Sequence, residues 1–297
     1  MTLPLFGSPA TSPDVPGGLL LQMPLLPLGS QPAHPLLTML RFKNLGSGST
    51  GNATVVEGSS GSQARRLLVD CGFGIRQLQW RLEAAQLRLA DIHAIFITHE
   101  HSDHIGCAQA MAVRHRIPVW MSEGTHAALG APDFDGMLRI ARDMEAIDMG
   151  EFSALPFTVP HDAREPLQLR CTDGAAYLGV LTDLGHASNH VLAQLTGCDA
   201  LLIEANHDLA MLEASRYPAF LKRRVGGPYG HLANSATAEI LRAVRHPGLS
   251  RVVAAHLSAQ NNVPALAQAC LAAALDWPDD AITVASPTAG TDWIGVG

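Results

Sequence analysis

The stretch Thr98-His99-Glu100-His101-Ser102-Asp103-His104 concentrates three histidines and one aspartate in the pattern His-x-His-x-Asp-His. The apolar run Ile92–Thr98 indicates a buried strand, and an apolar helix pattern follows from about Ile105. This cluster therefore lies at the carboxyl end of a strand, where α/β proteins bind ligands. Neutral imidazoles and a carboxylate are suitable ligands for zinc, and for manganese or iron with less preference. The alternative, a polar turn that only caps a helix, is disfavoured because four ligand-type side chains occur together.

Composition indicates an ordinary globular protein. Of the 297 residues, 47% are hydrophobic and 16% are charged, which excludes the disordered and fibrous classes. The formal net charge of −7 provides no global positive field for nucleic acid, although bound cations would reverse the sign locally. The five cysteines are scattered and form no Cys-x-x-Cys pair. We therefore expect free thiols in a reducing compartment.

The first 36 residues differ from the rest of the chain. They are rich in proline, contain no Lys or Arg and show little periodicity. We expect a flexible N-terminal extension over residues 1–36 and a single domain over residues 37–297. The apolar stretch Gly18–Leu28 is broken by two prolines and is too short to span a bilayer. A signal peptide would need a Lys or Arg near its start, and none precedes Arg41. We therefore expect a cytoplasmic protein without a membrane partner.

Short β-rich runs alternate with helical patterns from Leu40 onward, which predicts α/β layers. The predicted strands are Leu40–Leu45, Ala53–Glu57, Arg66–Asp70, Ile92–Thr98, Val119–Ser122, Tyr177–Thr182, Ala200–Glu204, Arg251–Ala255 and Ala281–Ala285. The predicted helices are Ile75–Gln86, His104–His115, Asn234–Arg245 and Pro264–Leu275. Asn234 is the predicted N-cap of the third helix.

The histidine cluster after an apolar strand resembles the main signature of the metallo-β-lactamase fold superfamily. The resemblance implies an α/β (α+β) fold, a four-layer αββα sandwich with two metals between the sheet edges. In that superfamily a lone histidine, a bridging aspartate and a final histidine, each near a strand end, complete the ligand set. His161, Asp183 and His256 occur here in that order, each near a predicted strand end.

The resemblance therefore implies two divalent ions, Zn²⁺ or Mn²⁺, with Asp183 bridging them. The expected ligands are His99, His101 and His161 for one ion, and Asp103, His104 and His256 for the other. For a distal residue taken alone, a structural histidine or an N-cap aspartate is the commoner explanation. The shared order and strand-end placement favour the ligand assignment.

Further segments are similar to the YycJ/WalJ-like group within this superfamily. They are Leu45–Asn52, Leu68–Gly72, Glu204–Asp208, Tyr217–Lys222, Gly230–Asn234 and Ala255–Asn262. The similarity covers residues from about 39 to 290 and implies a 5′→3′ exonuclease that acts on DNA through a hydroxide activated by two metals. Nucleic acid is thus the expected partner.

Catalytic roles also follow from the resemblance. In ribonuclease Z-like enzymes, a glutamate after a strand orients a histidine that protonates the leaving oxygen or binds the phosphate. Glu204 follows an apolar strand and His231 lies in a glycine-flanked loop before a helix, so both placements fit. A surface-loop histidine is the alternative for His231. Asp103 is expected to hydrogen-bond the hydroxide as well as to bind metal.

The loop Gly46-x-Gly48-x-x-Gly51 satisfies a dinucleotide-binding pattern, but a strand rather than a helix follows it. We therefore expect no nucleotide cofactor. A tight loop near the metals is the preferred interpretation, with Ser47 and Asn52 as candidate substrate contacts. Asn261 and Asn262 are further candidates, or they cap the helix that begins near Pro264.

Other polar residues are expected to play lesser roles. His186, His190 and His207 lie near strand ends and are interpreted as supporting or solvent-facing residues, although one of them could replace an assigned ligand. The basic cluster Lys222-Arg223-Arg224 is interpreted as a solvated face, with phosphate contact as the alternative.

Two other functions remain open from the sequence. The fold superfamily includes hydrolases of thioesters, lactones and cyclic phosphodiesters, and the low positive charge leaves room for such a substrate. A non-catalytic metal-binding sensor is the third possibility. The intact set of seven candidate ligands disfavours it, because a sensor need not retain an open two-metal site.

Overall fold

Two seven-stranded sheets pack face to face in the computed structural model of the chain, which describes residues 38–297. The apolar layer between them includes Phe42 and Val56 from one sheet and Leu169 and Val253 from the other. Side chains at alternate positions of a strand point to the same face, and these four are buried. The predicted extension over residues 1–36 lies outside the described residues.

Fourteen strands form the sheets within residues 38–297. They are β1 (Thr38–Gly46), β2 (Ala53–Ser60), β3 (Gln63–Val69), β4 (Ala94–Phe96), β5 (Val119–Met121), β6 (Leu138–Ile140), β7 (Ile147–Asp148), β8 (Ser153–Thr158), β9 (Leu167–Thr172), β10 (Tyr177–Leu181), β11 (Ala200–Glu204), β12 (Arg251–Ala255), β13 (Ile282–Val284) and β14 (Ile294–Gly295).

Nine α-helices accompany these strands in the same range. They are α1 (Ile75–Ala84), α2 (Ser102–Ile105), α3 (Ala108–His115), α4 (Glu123–Ala128), α5 (Asn189–Leu195), α6 (Leu209–Ala214), α7 (Ala219–Val225), α8 (Asn234–Val244) and α9 (Pro264–Leu275). Short 3₁₀ turns occur at Leu89–Asp91 and Asp279–Ala281. None of the helices within residues 38–297 is long and apolar enough to cross a membrane.

Strand direction collects polar residues at one edge of each sheet. The first sheet has the order β14-β1-β2-β3-β4-β5-β6, and the second has the order β13-β12-β11-β10-β9-β8-β7. Strands β3 to β6 are mutually parallel, and so are β10 to β13. Because parallel neighbours end at the same edge, the residues that follow β3, β4, β10, β11 and β12 lie at these carboxyl edges.

Helices cover the outer face of each sheet. Leu78 of α1 and Met111 of α3 belong to the apolar cluster on the first sheet. Leu195 of α5, Leu241 of α8 and Leu271 of α9 belong to the cluster on the second. Helix, sheet, sheet and helix therefore form four layers, which confirms the predicted αββα sandwich.

Two local predictions are wrong. The helix predicted over His104–His115 is interrupted at Gly106, which has a φ of 33° and would bring a Cβ within 2.2 Å of the Cys71 carbonyl oxygen. Helix α2 therefore ends at Ile105, and α3 begins two residues after Gly106. Asn234 is not an N-cap: it is the first residue of α8, and its side-chain amide pairs with another amide instead of capping the helix.

Candidate active site

A buried carboxylate holds the loop after β4 against the end of β3. Asp70 follows β3 with a φ of 61°, a left-handed value that is uncommon for residues with a Cβ. Its Oδ1 accepts hydrogen bonds from the backbone N–H and the hydroxyl of Thr98, both at 2.9 Å. Its Oδ2 lies 2.7 Å from His104 Nδ1. Asp70 therefore positions both the loop and one predicted ligand, a role that sequence reasoning missed.

Glycine allows the Asp103 backbone to rest on the end of β3. A Cβ on Gly72 would lie 1.7 Å from the Asp103 carbonyl oxygen, so only glycine fits this approach. The backbone N–H of Asn52 donates to the same carbonyl at 2.8 Å. The metal-binding loop is thus fixed by backbone contacts as well as by Asp70.

His99, His101 and His161 form one group of ligand-type side chains. One ring nitrogen of each lies within 4.8 Å of the others. His99 and His161 are buried, whereas His101 is partly exposed and lines a cleft. His161 Nδ1 donates to the Gly230 carbonyl at 3.0 Å, which leaves the lone pair on Nε2. These three are the predicted ligands of the first ion.

Asp103, His104 and His256 form a second group, again with ligand atoms within 4.8 Å. Asp103 Oδ2 lies 3.5 Å from His104 Nε2 and 3.4 Å from His256 Nε2. A buried carboxylate contacts the opposite nitrogen of each ring: Asp70 for His104 at 2.7 Å, and Glu204 for His256 at 3.0 Å. Partners of this kind orient histidines that bind metal.

Asp183, two residues beyond the end of β10, lies between the two groups. Its Oδ2 is 3.1 Å from His104 Nε2, and its Oδ1 is 3.8 Å from His161 Nε2. The side chain is buried, so its position is fixed by the surrounding ligands. The structure thus brings all seven predicted metal ligands together, with the proposed bridging residue reaching both groups.

The donor set fits divalent cations. His161 Nε2 is buried and has no hydrogen-bond partner among residues 38–297, and the same holds for Asp183 Oδ2. That oxygen is close to His104 but is not aligned for a hydrogen bond. A buried polar atom without a partner costs about 1–3 kcal/mol, and a bound cation would satisfy both atoms. Imidazole nitrogen and carboxylate oxygen are suitable ligands for Zn²⁺ and Mn²⁺.

The electrostatic potential around the second group favours positive charge. Burial alone lowers the pKa of His104, but the carboxylates of Asp183 and Asp70 raise it well above its ordinary value. Burial also lowers the pKa of His256, whereas Asp183 and neighbouring carboxylates raise it to about 10. A potential that stabilises a charged imidazole stabilises a bound cation for the same reason.

His231 lines the cleft beside these groups and is oriented by Glu204. Its Nδ1 lies 2.7 Å from Glu204 Oε1, and the same oxygen lies 3.0 Å from His256 Nδ1. Glu204 Oε2 accepts the backbone N–H groups of Leu184 and Leu232 at 2.8 and 3.2 Å. Burial lowers the pKa of His231, but the Glu204 carboxylate raises it above its ordinary value. Nε2 of His231 makes no hydrogen bond within the described range.

Ser47 and Asn52 lie behind the ligands, and both are buried. Ser47 Oγ accepts the backbone N–H of His256 at 2.8 Å. Asn52 Nδ2 lies 3.2 Å from Asp103 Oδ2. In the structure these side chains support ligands, and neither lines the cleft.

Asn261 and Asn262 are also buried and do not line the cleft. Asn262 Nδ2 donates to the Ala205 carbonyl at 2.8 Å, and its amide pairs with the Asn234 amide. The backbone N–H of Asn261 donates to Ser258 Oγ at 3.2 Å. The structure does not bring these asparagines to a surface where a phosphate would bind.

Three further histidines that the sequence singled out, His186, His190 and His207, lie outside the ligand groups of the described residues. His186 Nδ1 donates to the Pro228 carbonyl at 2.7 Å, and His190 Nε2 lies 3.2 Å from Asp143 Oδ1. His207 is buried, and neither of its ring nitrogens has a hydrogen-bond partner within residues 38–297.

Asp162 and Arg224 line the cleft, which has a volume of about 410 Å³. Asp162 was not assigned to the site from the sequence, and Arg224 was considered only as part of the basic cluster, with phosphate contact as the alternative. Arg224 Nε donates to Asp162 Oδ2 at 2.7 Å, and Asp162 Oδ1 lies 3.4 Å from His161 Nε2. One sequence feature could have indicated the position of Arg224. The spacing of Leu221, Arg224 and Val225 places the three on one face of a helix. All three line the cleft.

A four-layer sandwich with a histidine and carboxylate site at the sheet edges defines a class of metal-dependent hydrolase. The family model described as "Beta-lactamase superfamily domain" matches residues 65–257. The chain belongs to this superfamily and is a metal-dependent hydrolase of the metallo-β-lactamase fold.

Curated relatives place the chain more narrowly. Exodeoxyribonuclease YycJ of Bacillus anthracis is 32% identical over 242 residues, which are 80% of this chain and 89% of that protein. Exodeoxyribonuclease WalJ of Streptococcus pneumoniae is 31% identical over 232 residues, 76% of this chain and 85% of that protein. The predicted similarity to the YycJ/WalJ-like group is confirmed.

A solved structure shows the same fold. The metallo-β-lactamase fold protein YhfI from Bacillus subtilis superposes with a TM-score of 0.66 at 15% identity. The match covers 87% of this chain and 100% of YhfI. At this identity the likeness concerns the fold and carries no information about substrate.

Proposed function

We propose that this hydrolase is a phosphodiesterase that acts on DNA as a 5′→3′ exonuclease. The observation that carries the proposal is the position of His231, held by Glu204 beside the shared carboxylate Asp183 in an open cleft. His231 Nδ1 lies 3.6 Å from Asp183 Oδ1, so a proton donor borders both ligand groups. Phosphodiester hydrolysis needs charge neutralisation and protonation of the leaving oxygen. The similarity to two exodeoxyribonucleases supports DNA as the substrate, and the polarity follows the family resemblance.

Two divalent cations, Zn²⁺ or Mn²⁺, are the proposed cofactors. His99, His101 and His161 would hold one cation, and Asp103, His104 and His256 would hold the other. Asp183 would bind both. When bound, the cations would lower the pKa of a water molecule and neutralise charge on the scissile phosphate.

Asp103 is the proposed acceptor for the attacking water. Within the described residues only its Oδ2 is near a hydrogen-bonding partner, where it faces His104 and His256. Oδ1 is left to accept a hydrogen bond from water in the cleft, which Asp103 lines. This contact would orient the water toward the phosphate.

His231 is the proposed general acid. Glu204 accepts a hydrogen bond from Nδ1 and raises the pKa of the imidazole, which favours a proton on Nε2 as well. That nitrogen has no protein partner within residues 38–297, so its proton is available to the leaving oxygen. Because Glu204 is fully buried, the ring is held in one orientation.

The test is hydrolysis by metal-loaded protein whose metal content has been measured. Substrates are single- and double-stranded DNA labelled at either end, RNA, and a generic phosphodiester ester. We expect nucleotides to be released from the 5′ end of DNA. Cleavage of a thioester, a lactone or a cyclic phosphodiester without cleavage of DNA would overturn the proposal in favour of another hydrolase of this fold. Full metal content with no hydrolysis of any substrate would favour the metal-binding sensor.

A further inference from the structure

A basic segment borders the cleft. Residues 214–238 contain four Lys or Arg and no Asp or Glu, in a chain whose formal net charge is −7. Helix α7 lies in this segment and directs Leu221, Arg224 and Val225 to the cleft. The segment therefore places positive charge beside the ligand groups, where the rest of the chain supplies mainly carboxylates.

Arg224 is held so that its terminal nitrogens remain available. Its Nε donates to Asp162 Oδ2 at 2.7 Å. No other hydrogen bond of this guanidinium occurs within residues 38–297, and the side chain is 61% exposed. A planar guanidinium whose two terminal NH2 groups are free is suited to a phosphate. Asp162 thus orients a phosphate-type donor at the wall of the cleft.

Two exposed aromatic residues are neighbours of residues that line the same cleft, although they do not line it themselves. Phe220 is 66% exposed and precedes Arg224 by one helical turn, which makes them neighbours on α7. Tyr229 is 58% exposed and directly precedes Gly230 and His231, which line the cleft. Single exposed hydrophobic residues are common on protein surfaces, so it is the location of these two rings that matters. Their shared position next to a cationic group indicates a common partner.

The Tyr229 ring is held in place before any partner binds. Its ring centroid lies 6.1 Å from that of His186 in an edge-to-face arrangement. His186 Nδ1 donates to the carbonyl of Pro228, the preceding residue, at 2.7 Å. This contact gives His186 a supporting role and reduces the conformational freedom that Tyr229 would lose on binding.

We propose that Phe220, Tyr229 and Arg224 form a single-strand platform, on which unpaired DNA bases stack on the two rings while Arg224 binds the backbone phosphate between them. The inference rests on the proposed function and deepens it, because it assigns single-stranded DNA as the form that enters the cleft. Stacking needs a base with an open π-face, and a duplex offers none along its length. Backbone phosphates supply the negative charge that complements the basic segment.

Binding of a short labelled oligodeoxythymidylate tests the platform. The strand carries slowly cleaved phosphorothioate linkages, and its Kd for the metal-loaded protein is measured by fluorescence anisotropy. Phe220→Ala and Tyr229→Ala are each expected to raise Kd about tenfold, the usual effect of removing one stacking contact. Phe220→Trp, which keeps an aromatic ring at this position, should bind with the wild-type Kd. Arg224→Gln should reduce the salt dependence of log Kd by about 0.7 for one lost phosphate contact.

Matched controls lie elsewhere on the surface. Trp80 is 60% exposed on α1, a helix that contributes no residue to the cleft lining, so Trp80→Ala controls for removal of an exposed aromatic ring. Arg251 begins β12, at the end opposite His256, so Arg251→Ala controls for loss of a positive charge. Both variants should keep the wild-type Kd within about twofold. An equal loss in Trp80→Ala and Phe220→Ala would overturn the platform.

A strand in which abasic sites replace the bases isolates the stacking contribution. Wild type and Phe220→Ala should bind this strand equally, and unequal binding would contradict stacking on Phe220. Because binding is measured rather than cleavage, the two proposals fail separately. A protein that binds the strand but hydrolyses no DNA keeps the platform and loses the proposed function. If the protein hydrolyses DNA but all three platform variants keep the wild-type Kd, the proposed function is kept and the platform is overturned.

Discussion

The two halves of the metal site are built differently. The first half is the loop over residues 98–104 after β4, supported by Asp70 from the end of β3. The second half is collected from distant parts of the chain, near the ends of β8, β10, β11 and β12 and from the loop before α8. Its residues are His161, Asp183, Glu204, His231 and His256. Contiguous sequence supplies the first half, and sheet topology supplies the second.

The supporting carboxylates show a further difference. Asp70 contacts one histidine and otherwise binds Thr98. Glu204 contacts two histidines with the same oxygen, His231 at 2.7 Å and His256 at 3.0 Å. Asp70 thus supports only a predicted ligand, whereas Glu204 links a predicted ligand to the proposed acid. A change in Glu204 should therefore affect chemistry as well as metal binding.

Removing Asp183 should have the largest effect, because this residue joins the halves. Asp183→Ala is expected to lower metal content below the expected value of about two ions per chain. The phosphodiesterase rate should fall on the order of 10³-fold or more, since both ligand groups lose a ligand. Metal analysis and initial rates measure the two effects. Asp276→Ala, at an exposed ion pair with Arg245, is the control. Full metal content in Asp183→Ala would contradict the bridging assignment.

Removing His231 should separate chemistry from metal binding in the second half. His231→Ala is expected to keep both metal ions, because Nδ1 is engaged by Glu204 and the residue is not one of the seven predicted ligands, although its ring lies close to Asp183 and His256. The hydrolysis rate should fall by about 10²–10⁴-fold, the usual contribution of a general acid. His115→Ala, on the exposed end of α3, controls for loss of an imidazole. A full rate with full metal content would sink the proposed acid role.

The difference between the halves also explains what the sequence predicts. His99 to His104 are recognisable because their spacing is local, whereas His161, Asp183 and His256 each stand alone and were assigned through their order in a known family. Asp70 was missed since its contact with His104 forms only when β3 and β4 pair. No local pattern carries that information.

The strands, like the site residues, were predicted well where the local sequence pattern is clear. β10, β11 and β12 were predicted to within one residue, because parallel strands buried on both faces read as continuous apolar runs. β8 was not predicted as a strand. It contains Pro156, which lacks a backbone donor and is unusual within a ladder. The sheet accommodates Pro156 because β8 pairs with β7 only at Ser153 and Ala154. The edge of Pro156 that faces away from β9 therefore has no partner in the ladder. The short strands β6, β7 and β14 offer too few residues for a pattern.

Neutralising each supporting carboxylate compares the halves directly. Asp70→Asn is expected to weaken metal binding by about 10–100-fold, the usual cost of losing a partner that orients a histidine ligand. Glu204→Gln should weaken metal binding by a similar factor through His256. At saturating metal, Asp70→Asn should recover most of its rate, while Glu204→Gln should not, because the proposed acid also depends on Glu204. Metal titrations followed by rates at saturation measure both. Equal recovery would show that Glu204 serves only the cation.

The smallest effect on activity is expected at Asn262, in the buried amide pair behind the second half. Asn262→Ala removes the donor to the Ala205 carbonyl and leaves Asn234 without its partner. Unsatisfied buried groups should lower the free energy of unfolding by about 1–3 kcal/mol, measured by urea denaturation. Hydrolysis at a temperature where the variant is folded should change by less than about threefold, because the side chain does not line the cleft. Ser235→Ala, next to Asn234 on the exposed side of α8, is the control for a polar truncation. A large loss of rate without loss of stability would instead restore Asn262 as a substrate contact.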